Sequence, residues 1–314
     1  MNKNICIIRS NPNDDVGILL QKRGYRVYGL YRGFNNIFTR SIRRLWLKYK
    51  LPFGSIWFDS SVLTDKADKV FVFESLVTGS YMKWLTHKKK NADIAIWYWN
   101  IVKNTIPPKD IEHLRCTIWS FSRVDCENYG LKFNPPPYFR EMAYSSKNES
   151  VDICFVGKDK GRLEQVLKWK KIFENQGFST EFIITPDHPY DINPYYSKPI
   201  SYKESVKVNA RSRAIFDYIE IDNSGQSMRV MEALFTHKKI ITNNKLIVDY
   251  DFYCPENFFI INVDPIEKLK EFMDTPYKEP SEEVKMRYDF DNFISRCWEK
   301  DEKAWWEKDG NDEK

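Results

Sequence analysis

Short apolar runs alternate with amphipathic stretches along the whole chain. In the first half, five such runs have the length and the β-branched or aromatic content of buried strands. Polar loops between them lead into stretches with apolar residues at helical spacing. Strands are therefore predicted at 5–8, 26–31, 69–74, 93–100 and 116–121, and helices at 16–23, 39–49 and 124–129.

The second half repeats the alternation, which predicts parallel strands in one sheet with helices packed against it. Strands are predicted at 151–156, 180–185, 214–219 and 239–244, and helices at 163–176, 203–210 and 228–235. Further ordered segments are expected at 247–253 and 258–263, then a short helix at 265–273 and a terminal helix at 288–306.

A linker is predicted between the two halves. The run Asn134-Pro135-Pro136-Pro137 and the polar segment 145–150 are typical of irregular connecting chain. We therefore expect an N-terminal domain at 1–145 and a second domain at 146–285, both Rossmann-like. A C-terminal helix and a polar tail are expected at 286–314.

The composition indicates a folded, globular protein. Of the 314 residues, 42% are hydrophobic and 30% are charged, which excludes an intrinsically disordered chain. The six cysteines are scattered without a CxxC pair, and the first apolar run is too short for a signal peptide. No run approaches the roughly 20 apolar residues that span a bilayer. These features predict reduced thiols, no zinc site and a cytoplasmic location.

The positive charge is concentrated near the N-terminus. Residues 1–50 contain 11 Lys or Arg and two acids, a net charge of +9, so that the remainder carries −4 of the total of +5. This distribution favours an anionic partner for the first domain, namely a lipid headgroup, a diphosphate-linked acceptor or a nucleic acid. The sequence contains no recognised nucleic-acid-binding module, and we expect no nucleic-acid partner.

The predicted helix from Thr39 to Tyr49 is basic and amphipathic, with two interpretations. It either lies at a membrane surface, with arginines on lipid phosphates, or packs on the sheet with a solvated basic rim. The first would make the protein peripheral at the inner face of the cytoplasmic membrane. Its apolar face comprises Ile42, Leu45, Trp46 and Tyr49, and its polar face Arg40, Arg43, Arg44 and Lys48.

One strand–turn–helix–strand unit, at 214–244, carries the strongest chemical signal. Gly225, Gln226 and Ser227 form the predicted turn and helix start, where backbone N–H groups suit an anion such as a diphosphate. Arg229 adds a positive charge one turn in, and Glu232, three residues later, can accept hydrogen bonds from vicinal hydroxyls. The plainer alternative is an ordinary helix with an exposed Arg229–Glu232 salt pair.

A second glycine-containing turn follows the strand at 151–156. Gly157, Lys158 and Arg162 place backbone flexibility and positive charge near a predicted helix N-terminus. The alternative is a basic surface turn. The chain has neither a G-x-G-x-x-G nor a Walker A spacing, which excludes the usual dinucleotide and P-loop sites.

Polar and aromatic residues also follow the predicted strands of the first domain. Ligands of parallel α/β sheets gather at the carboxyl ends of the strands, so these residues are acceptor-side candidates. Each alone also fits a plain strand end or helix cap. They are Arg9, Asp14, Glu74, Tyr98, Trp99 and Asn100.

The pattern Gly-x-x-x-Arg-x-x-Glu-Ala-Leu at 225–234, followed by Lys-Lys-Ile-Ile-Thr-Asn-Asn, resembles the donor-binding segment of GT-B glycosyltransferases. It is most similar to bacterial enzymes of lipopolysaccharide or capsular polysaccharide synthesis. The resemblance implies two Rossmann-like domains facing a cleft, with a C-terminal helix crossing back to the first domain. It also implies that Glu232 holds the donor ribose, that the turns at 157–162 and 225–227 face the diphosphate, and that Ser201 and Tyr202 line the nucleobase.

The activity implied is sugar transfer from a nucleotide sugar, with a UDP-sugar favoured, to a glycan or polyprenyl-diphosphate-linked acceptor in cell-surface polysaccharide synthesis. GT-B enzymes stabilise the leaving diphosphate with helix dipoles and Arg or Lys, so no cofactor or metal is expected, and the triplet Asp249-Tyr250-Asp251 is interpreted as a loop. Asp14 and Glu74 are the candidate catalytic bases. Ser224 stands where retaining enzymes often have a Glu, which favours inversion without deciding it. The alternative is a non-catalytic nucleotide- or sugar-binding protein on a degenerate GT-B scaffold.

Overall fold

Two parallel β-sheets organise the computed structural model, which describes residues 4–33, 36–144, 146, 148–220 and 225–299. Each sheet belongs to its own compact unit. The first unit comprises the chain up to Asn134 together with Arg296–Trp298, and the second runs from Pro135 to Ser295. The predicted fold class of two Rossmann-like parallel α/β domains is confirmed.

The sheet of the first unit has six strands in the order β2-β1-β3-β4-β5-β6, and every neighbouring pair is parallel. Because parallel strands point the same way, their carboxyl ends form one edge of the sheet. The strands are β1 (Ile5–Arg9), β2 (Arg26–Gly29), β3 (Lys69–Glu74), β4 (Asp93–Tyr98), β5 (Thr117–Ser120) and β6 (Lys132–Phe133).

Helices of the first unit begin at side-chain caps. Asp14, Asn36, Thr78 and Ser122 each accept a backbone N–H bond from the first turn of the helix that follows. The helices are α1 (Asp15–Lys22), α2 (Ile37–Lys48), α3 (Gly79–Lys88) and α4 (Arg123–Tyr129). Single-turn 3₁₀ helices lie at Gly54–Trp57, Ser61–Thr64, Val102–Asn104, Pro108–Asp110 and, in the second unit, Arg140–Met142.

The sheet of the second unit has five parallel strands in the order β11-β10-β9-β7-β8. The ring of Phe216 lies with its centroid 6.1 Å from that of Phe155 and 5.1 Å from that of Phe173, and all three residues are buried. The strands are β7 (Val151–Lys158), β8 (Thr180–Thr185), β9 (Ser212–Asp217), β10 (Lys239–Thr242) and β11 (Phe258–Ile260). The helices are α5 (Leu163–Asn175), α6 (Tyr202–Ala210), α7 (Met228–Thr236), α8 (Leu269–Asp274), α9 (Glu282–Arg287) and α10 (Phe290–Arg296), with 3₁₀ turns at Lys245–Asp249 and Ile266–Lys268.

The C-terminal helix differs from its prediction. A single helix at 288–306 is expected, but α10 spans only Phe290–Arg296, and the helix α9 (Glu282–Arg287), which ends just before Tyr288, is not predicted. The backbone of Tyr138 accepts a hydrogen bond from Phe290 N at 3.0 Å and donates one to Tyr288 O at 2.8 Å, which diverts these groups from helical bonding. Positions 300–306 of the predicted helix lie outside the described residues.

Other elements also differ from the sequence pattern. Helix α3 was not predicted, because its buried residues Tyr81, Met82 and Leu85 are interleaved with Lys and His. Strand β7 extends through Lys158, so the turn begins two residues later than expected. The 3₁₀ turn Lys245–Asp249 covers the start of the ordered segment expected at 247–253. No helix in the described part of the chain combines the length and apolar character needed to cross a bilayer.

Gly17, the third residue of α1, is packed against the backbone of Pro12. A β-carbon there would lie 2.1 Å from the Pro12 carbonyl oxygen. We expect Gly17→Ala to lower the free energy of unfolding in urea by about 1–3 kcal/mol through steric overlap, although Ala is the better helix former. Gly79→Ala in α3 is the matched control, because its nearest neighbour would lie 3.6 Å away, and it should be neutral or stabilising. Equal effects of the two substitutions would contradict this packing.

Candidate functional site

Two guanidinium groups converge over Gly157 near the end of β7. A β-carbon on Gly157 would lie 3.2 Å from Nη2 of Arg162 and 3.2 Å from Nη1 of Arg229. Both guanidinium carbons also lie over the ring of Phe155, at 5.4 Å and 5.3 Å from its centroid. A side chain at position 157 would therefore crowd both cations and also Phe155, whose Cζ would lie 3.2 Å from the β-carbon, which favours glycine at this position.

Asp217, the last residue of β9, holds Arg229 in place. Its Oδ1 accepts hydrogen bonds from Nε of Arg229 at 2.9 Å and from the Ser227 hydroxyl at 2.6 Å. Its Oδ2 accepts a longer bond from the Thr242 hydroxyl, at 3.3 Å. The Asp217 carboxylate is fully buried, and Ser227 in turn caps α7 by accepting from Arg229 N. One carboxylate thus links β9, β10 and the start of α7.

Arg162 is a buried cation without an ion pair to any carboxylate in the described ranges. It is 8% exposed, and its guanidinium donates to the backbone carbonyls of Tyr218 and Lys158. Its Nε is buried with no hydrogen-bond partner among the described residues. Burial, and then the nearby charge of Arg229, lower the pKa of Arg162 to about 10. An anion bound beside these two guanidiniums would offset both the burial of the Arg162 charge and its repulsion by Arg229.

The start of α5 is already occupied by a protein carboxylate. Asp159 accepts hydrogen bonds from the backbone N–H groups of Arg162 and Leu163, at 2.9 Å and 2.7 Å. The N–H groups at this helix N-terminus are therefore already bonded by the protein itself. The positive charge that this turn offers to an anion comes from its side-chain cations. Lys158 is exposed, whereas Lys160 is paired with Glu220 at 2.8 Å.

Glu232 lies on α7 and is buried. Its carboxylate accepts a hydrogen bond from the Asn209 amide and is also bonded by the Tyr202 hydroxyl. Burial raises its pKa above the usual value for Glu, and these hydrogen bonds oppose the rise. Arg229 pairs with Asp217, and the structure shows no exposed Arg229–Glu232 salt pair. The predicted ribose role stays a prediction.

The other predicted donor residues have distinct local roles. Ser201 caps α6 in a reciprocal capping box with Glu204. Gly225 and Gln226 are buried, and the Gly225 carbonyl accepts from the Asn244 amide at 3.4 Å. Ser224 lies outside the described residues.

In the first unit, the predicted acceptor residues divide between the two faces of the sheet. Arg9 lies beside Phe73, with 5.6 Å from its guanidinium carbon to the ring centroid, and pairs with Asp14 at 3.0 Å. Half-exposed Trp99 packs on Phe73 and Trp97 of the same face. Asp14 also caps α1, so both of its carboxylate oxygens are engaged.

Glu74 and Tyr98 pair in register on the opposite face. Tyr98 is fully buried and its hydroxyl donates to the Ile106 carbonyl at 2.7 Å, whereas Asn100 is exposed. Glu74 is 5% exposed, and burial raises its pKa to about 7, against a smaller opposing effect of a hydrogen bond from the Ile106 backbone. A carboxyl group with this pKa can accept a proton near neutral pH.

Sequence reasoning missed Asp217, Asn209 and Phe155. The available signal for Asp217 was an acid within the apolar run 214–219, since a buried carboxylate requires a partner. Within the described residues no group of three or more His, Cys, Asp or Glu forms a potential metal site. Of the triplet 249–251, Asp251 accepts hydrogen bonds from Arg287 at 2.8 Å and Tyr288 at 2.6 Å.

We expect Asp217→Ala to lower the free energy of unfolding by about 3–5 kcal/mol, because it removes one partner of a buried ion pair. Chemical denaturation followed by circular dichroism measures the change. Glu181→Ala in the same unit is the control. It breaks the more exposed pair with Arg211 and should cost at most about 1 kcal/mol. A loss for Asp217→Ala as small as that of the control would contradict the anchoring role.

The Glu74 carboxyl should make stability pH-dependent. Its pKa is about 7 in the folded protein against 4.5 for a free side chain, so the folded state binds the extra proton in this window. Stability should therefore fall as pH rises from about 4.5 to about 7 and then level off. Urea titrations across this range should show a weaker decline in Glu74→Gln. Exposed Glu112 is the control, and Glu112→Gln should leave the decline unchanged.

No protein-family model matches the chain, and the search of curated proteins finds no match either. Several solved structures are similar. The lipopolysaccharide outer core galactosyltransferase WaaB aligns over 92% of this chain and 87% of its own, at 11% identity and a TM-score of 0.48. A glycosyltransferase from Rickettsia africae aligns over 93% and 87%, at 10% identity and a TM-score of 0.43. TarM aligns over 73% and 53%, at 8% identity and a TM-score of 0.44. With all three TM-scores below 0.5, the inferences below rest on this chain's own residues.

Proposed function

We propose that this protein is a GT-B glycosyltransferase that uses a nucleotide-sugar donor, with a UDP-sugar as the first candidate. The acceptor is a glycan or lipid-linked saccharide of bacterial cell-surface polysaccharide synthesis. The observation that carries the proposal is the convergence of the Arg162 and Arg229 guanidiniums over Gly157. The resemblance of the segment 225–234 to GT-B donor sites supports the same role.

The two arginines match the electrostatic demand of the reaction. When the bond between the anomeric carbon and the diphosphate oxygen breaks, negative charge builds on the leaving nucleoside diphosphate. Arg162 and Arg229 are largely shielded from water, so their attraction for that charge is stronger than at an open surface. Because both are held by protein contacts before the donor arrives, little reorganisation is needed.

Glu74 is our proposed catalytic base in an inverting reaction. It would take the proton from the acceptor hydroxyl as the oxygen attacks the anomeric carbon and the nucleoside diphosphate leaves. Its pKa of about 7 suits this transfer. Asp14, the other candidate, is engaged by Arg9 and by the first turn of α1, which favours Glu74.

Glu232 is proposed to bind the donor ribose, as the resemblance implies. Its carboxylate already has partners in Asn209 and Tyr202, so ribose hydroxyls would join or replace these hydrogen bonds. Ser201 and Tyr202, at the start of α6, are proposed to lie beside the base.

The helix α2 supports the membrane-surface interpretation. Phe38 and Phe53, at its start and just beyond its end, are 74% and 80% exposed, and Leu45 and Tyr49 are also exposed. Large exposed apolar side chains beside Arg40 and Arg44 suit an interface with anionic lipid. We propose that this surface holds the protein at the inner face of the membrane, where lipid-linked acceptors lie.

A thermal-shift panel with UDP, GDP, CDP, CMP and their common sugar conjugates tests the donor assignment. A ligand bound by the folded state raises the melting temperature. For the nucleotide that binds, Arg162→Ala should weaken affinity about 10- to 100-fold, because a hydrogen bond to a charged group contributes about 1.5–3 kcal/mol. Arg162 has no carboxylate partner that the substitution would strand.

Arg211→Ala, which removes a cation on the same unit outside the site, should leave nucleotide affinity unchanged. Equal losses in the two variants would remove the diphosphate role of Arg162. No shift with any nucleotide would contradict the donor site. Binding without transfer or hydrolysis of the sugar conjugate would favour a non-catalytic binding protein.

A further inference from the structure

A groove along α3 has no role in the donor site. Ser80, Lys83, Trp84 and His87 follow the i, i+3, i+4, i+7 spacing and therefore share one face of α3. This face lines a groove of about 740 Å³, which is also lined by the end of α2, the 3₁₀ turn Gly54–Trp57 and residues 113–115.

The groove is positively charged along its length. Four cations line it, and none of its described lining residues is Asp or Glu. Lys50, Lys83 and Lys90 form no ion pair with any carboxylate that the structure describes, while Arg115 lies 3.9 Å from Asp93. His87 and His113 also line the groove and add donors. Cations left without carboxylates attract an anionic ligand.

Two tryptophan side chains, Trp84 and Trp46, line the groove among these cations. Trp84 is half-buried, with its ring 5.3 Å from Phe58 and 5.5 Å from Tyr81 between centroids, so its orientation is set by packing. Trp46, held by a hydrogen bond from its indole N–H to the Pro52 carbonyl at 2.9 Å, lines the groove as well. Flat apolar faces of this kind bind the C–H faces of sugar rings.

The groove continues toward Glu74. A neighbouring cavity of about 680 Å³ shares Lys50, Lys83 and His113 with it and is also lined by Glu74 and Asp110. A ligand that extends from the basic groove into this cavity would reach the buried carboxyl group. A polyphosphate backbone running the full length would place negative charge beside these two acids, whereas a saccharide that ends in a neutral hydroxyl would place none there.

We propose that this groove binds an acidic saccharide, one that carries carboxylate or phosphate groups, with its terminal sugar hydroxyl directed to Glu74. The lysines pair with the acidic groups and Trp84 stacks on a ring. The site is then the acceptor site of the first unit. That acceptor role rests on the proposed glycosyl transfer, while the binding of an acidic saccharide does not.

Calorimetry with an α-1,4-linked galacturonate hexasaccharide, and with maltohexaose as its neutral counterpart, tests the proposal on the full chain. We expect the acidic hexasaccharide to bind at least about tenfold more tightly, with an affinity that falls as salt rises. The double substitution Lys50→Glu with Lys83→Glu should weaken its binding about tenfold or more, since each reversal replaces an attraction with a repulsion.

Lys168→Glu with Lys171→Glu is the matched control, because it makes the same charge change at exposed positions of α5 in the second unit. Affinity for the acidic hexasaccharide should be unchanged in this variant. Equal losses in the two double variants, or equal binding of the acidic and neutral hexasaccharides, would overturn the proposal. Tighter binding of a single-stranded oligonucleotide that the Lys50/Lys83 variant weakens would also overturn it, in favour of a nucleic-acid groove.

Nucleotide binding by the same preparations separates this inference from the proposed function. A protein that binds a nucleotide but shows no preference for the acidic hexasaccharide loses the groove assignment alone. A protein that binds the acidic hexasaccharide through Lys50 and Lys83 but binds no nucleotide keeps the groove and loses the transferase role.

Discussion

The buried carboxylate of Asp217 is the constraint on which the proposed donor site of the second unit depends. A carboxylate without access to water must be paired and hydrogen-bonded, and Asp217 meets this need with Arg229, Ser227 and Thr242. Those partners come from the start of α7 and the end of β10. Satisfying one charge therefore aligns two strands and a helix, and leaves the Arg229 guanidinium above Gly157.

Arg162 adds a second positive charge beside Arg229 at the same site. Two cations over the same phenylalanine ring repel each other, and only Arg229 has a carboxylate partner in the described part of the chain. Their mutual repulsion and the burial of Arg162 are a cost in free energy that the fold bears without a ligand. A diphosphate would reverse the balance, because each of its oxygens can accept from a guanidinium. Pre-positioned cations of this kind are what a departing phosphate group requires.

In the first unit, the alternation of side chains along a strand places the candidate residues on two different faces of the sheet. Phe73 and Glu74 are neighbours in β3, yet they face opposite sides of the sheet. Arg9, Asp14 and Trp99 gather with Phe73, whereas Glu74 faces the cavity beside α3. Burial then changes Glu74 from an ordinary acid to a group that exchanges protons near neutral pH. The basic groove beside it and the exposed apolar residues of α2 are the two surfaces of this unit for which we propose an acidic saccharide and a membrane, respectively.

The sequence by itself determined the strands, most helices and the two-unit parallel α/β class, because apolar runs and helical spacing are local properties of the chain. It also indicated Gly157, Arg162 and Arg229 as candidate site residues, since positive residues close to a glycine turn can be recognised from the order of residues alone. Only the tertiary structure decided that Arg229 pairs with Asp217 and not Glu232, and that Glu232 is buried against Asn209. It also decided that Tyr138 bonds the backbone between α9 and α10, and that α3 lines a basic groove. These outcomes depend on residues far apart in sequence that meet only when the strands take their order in the sheet.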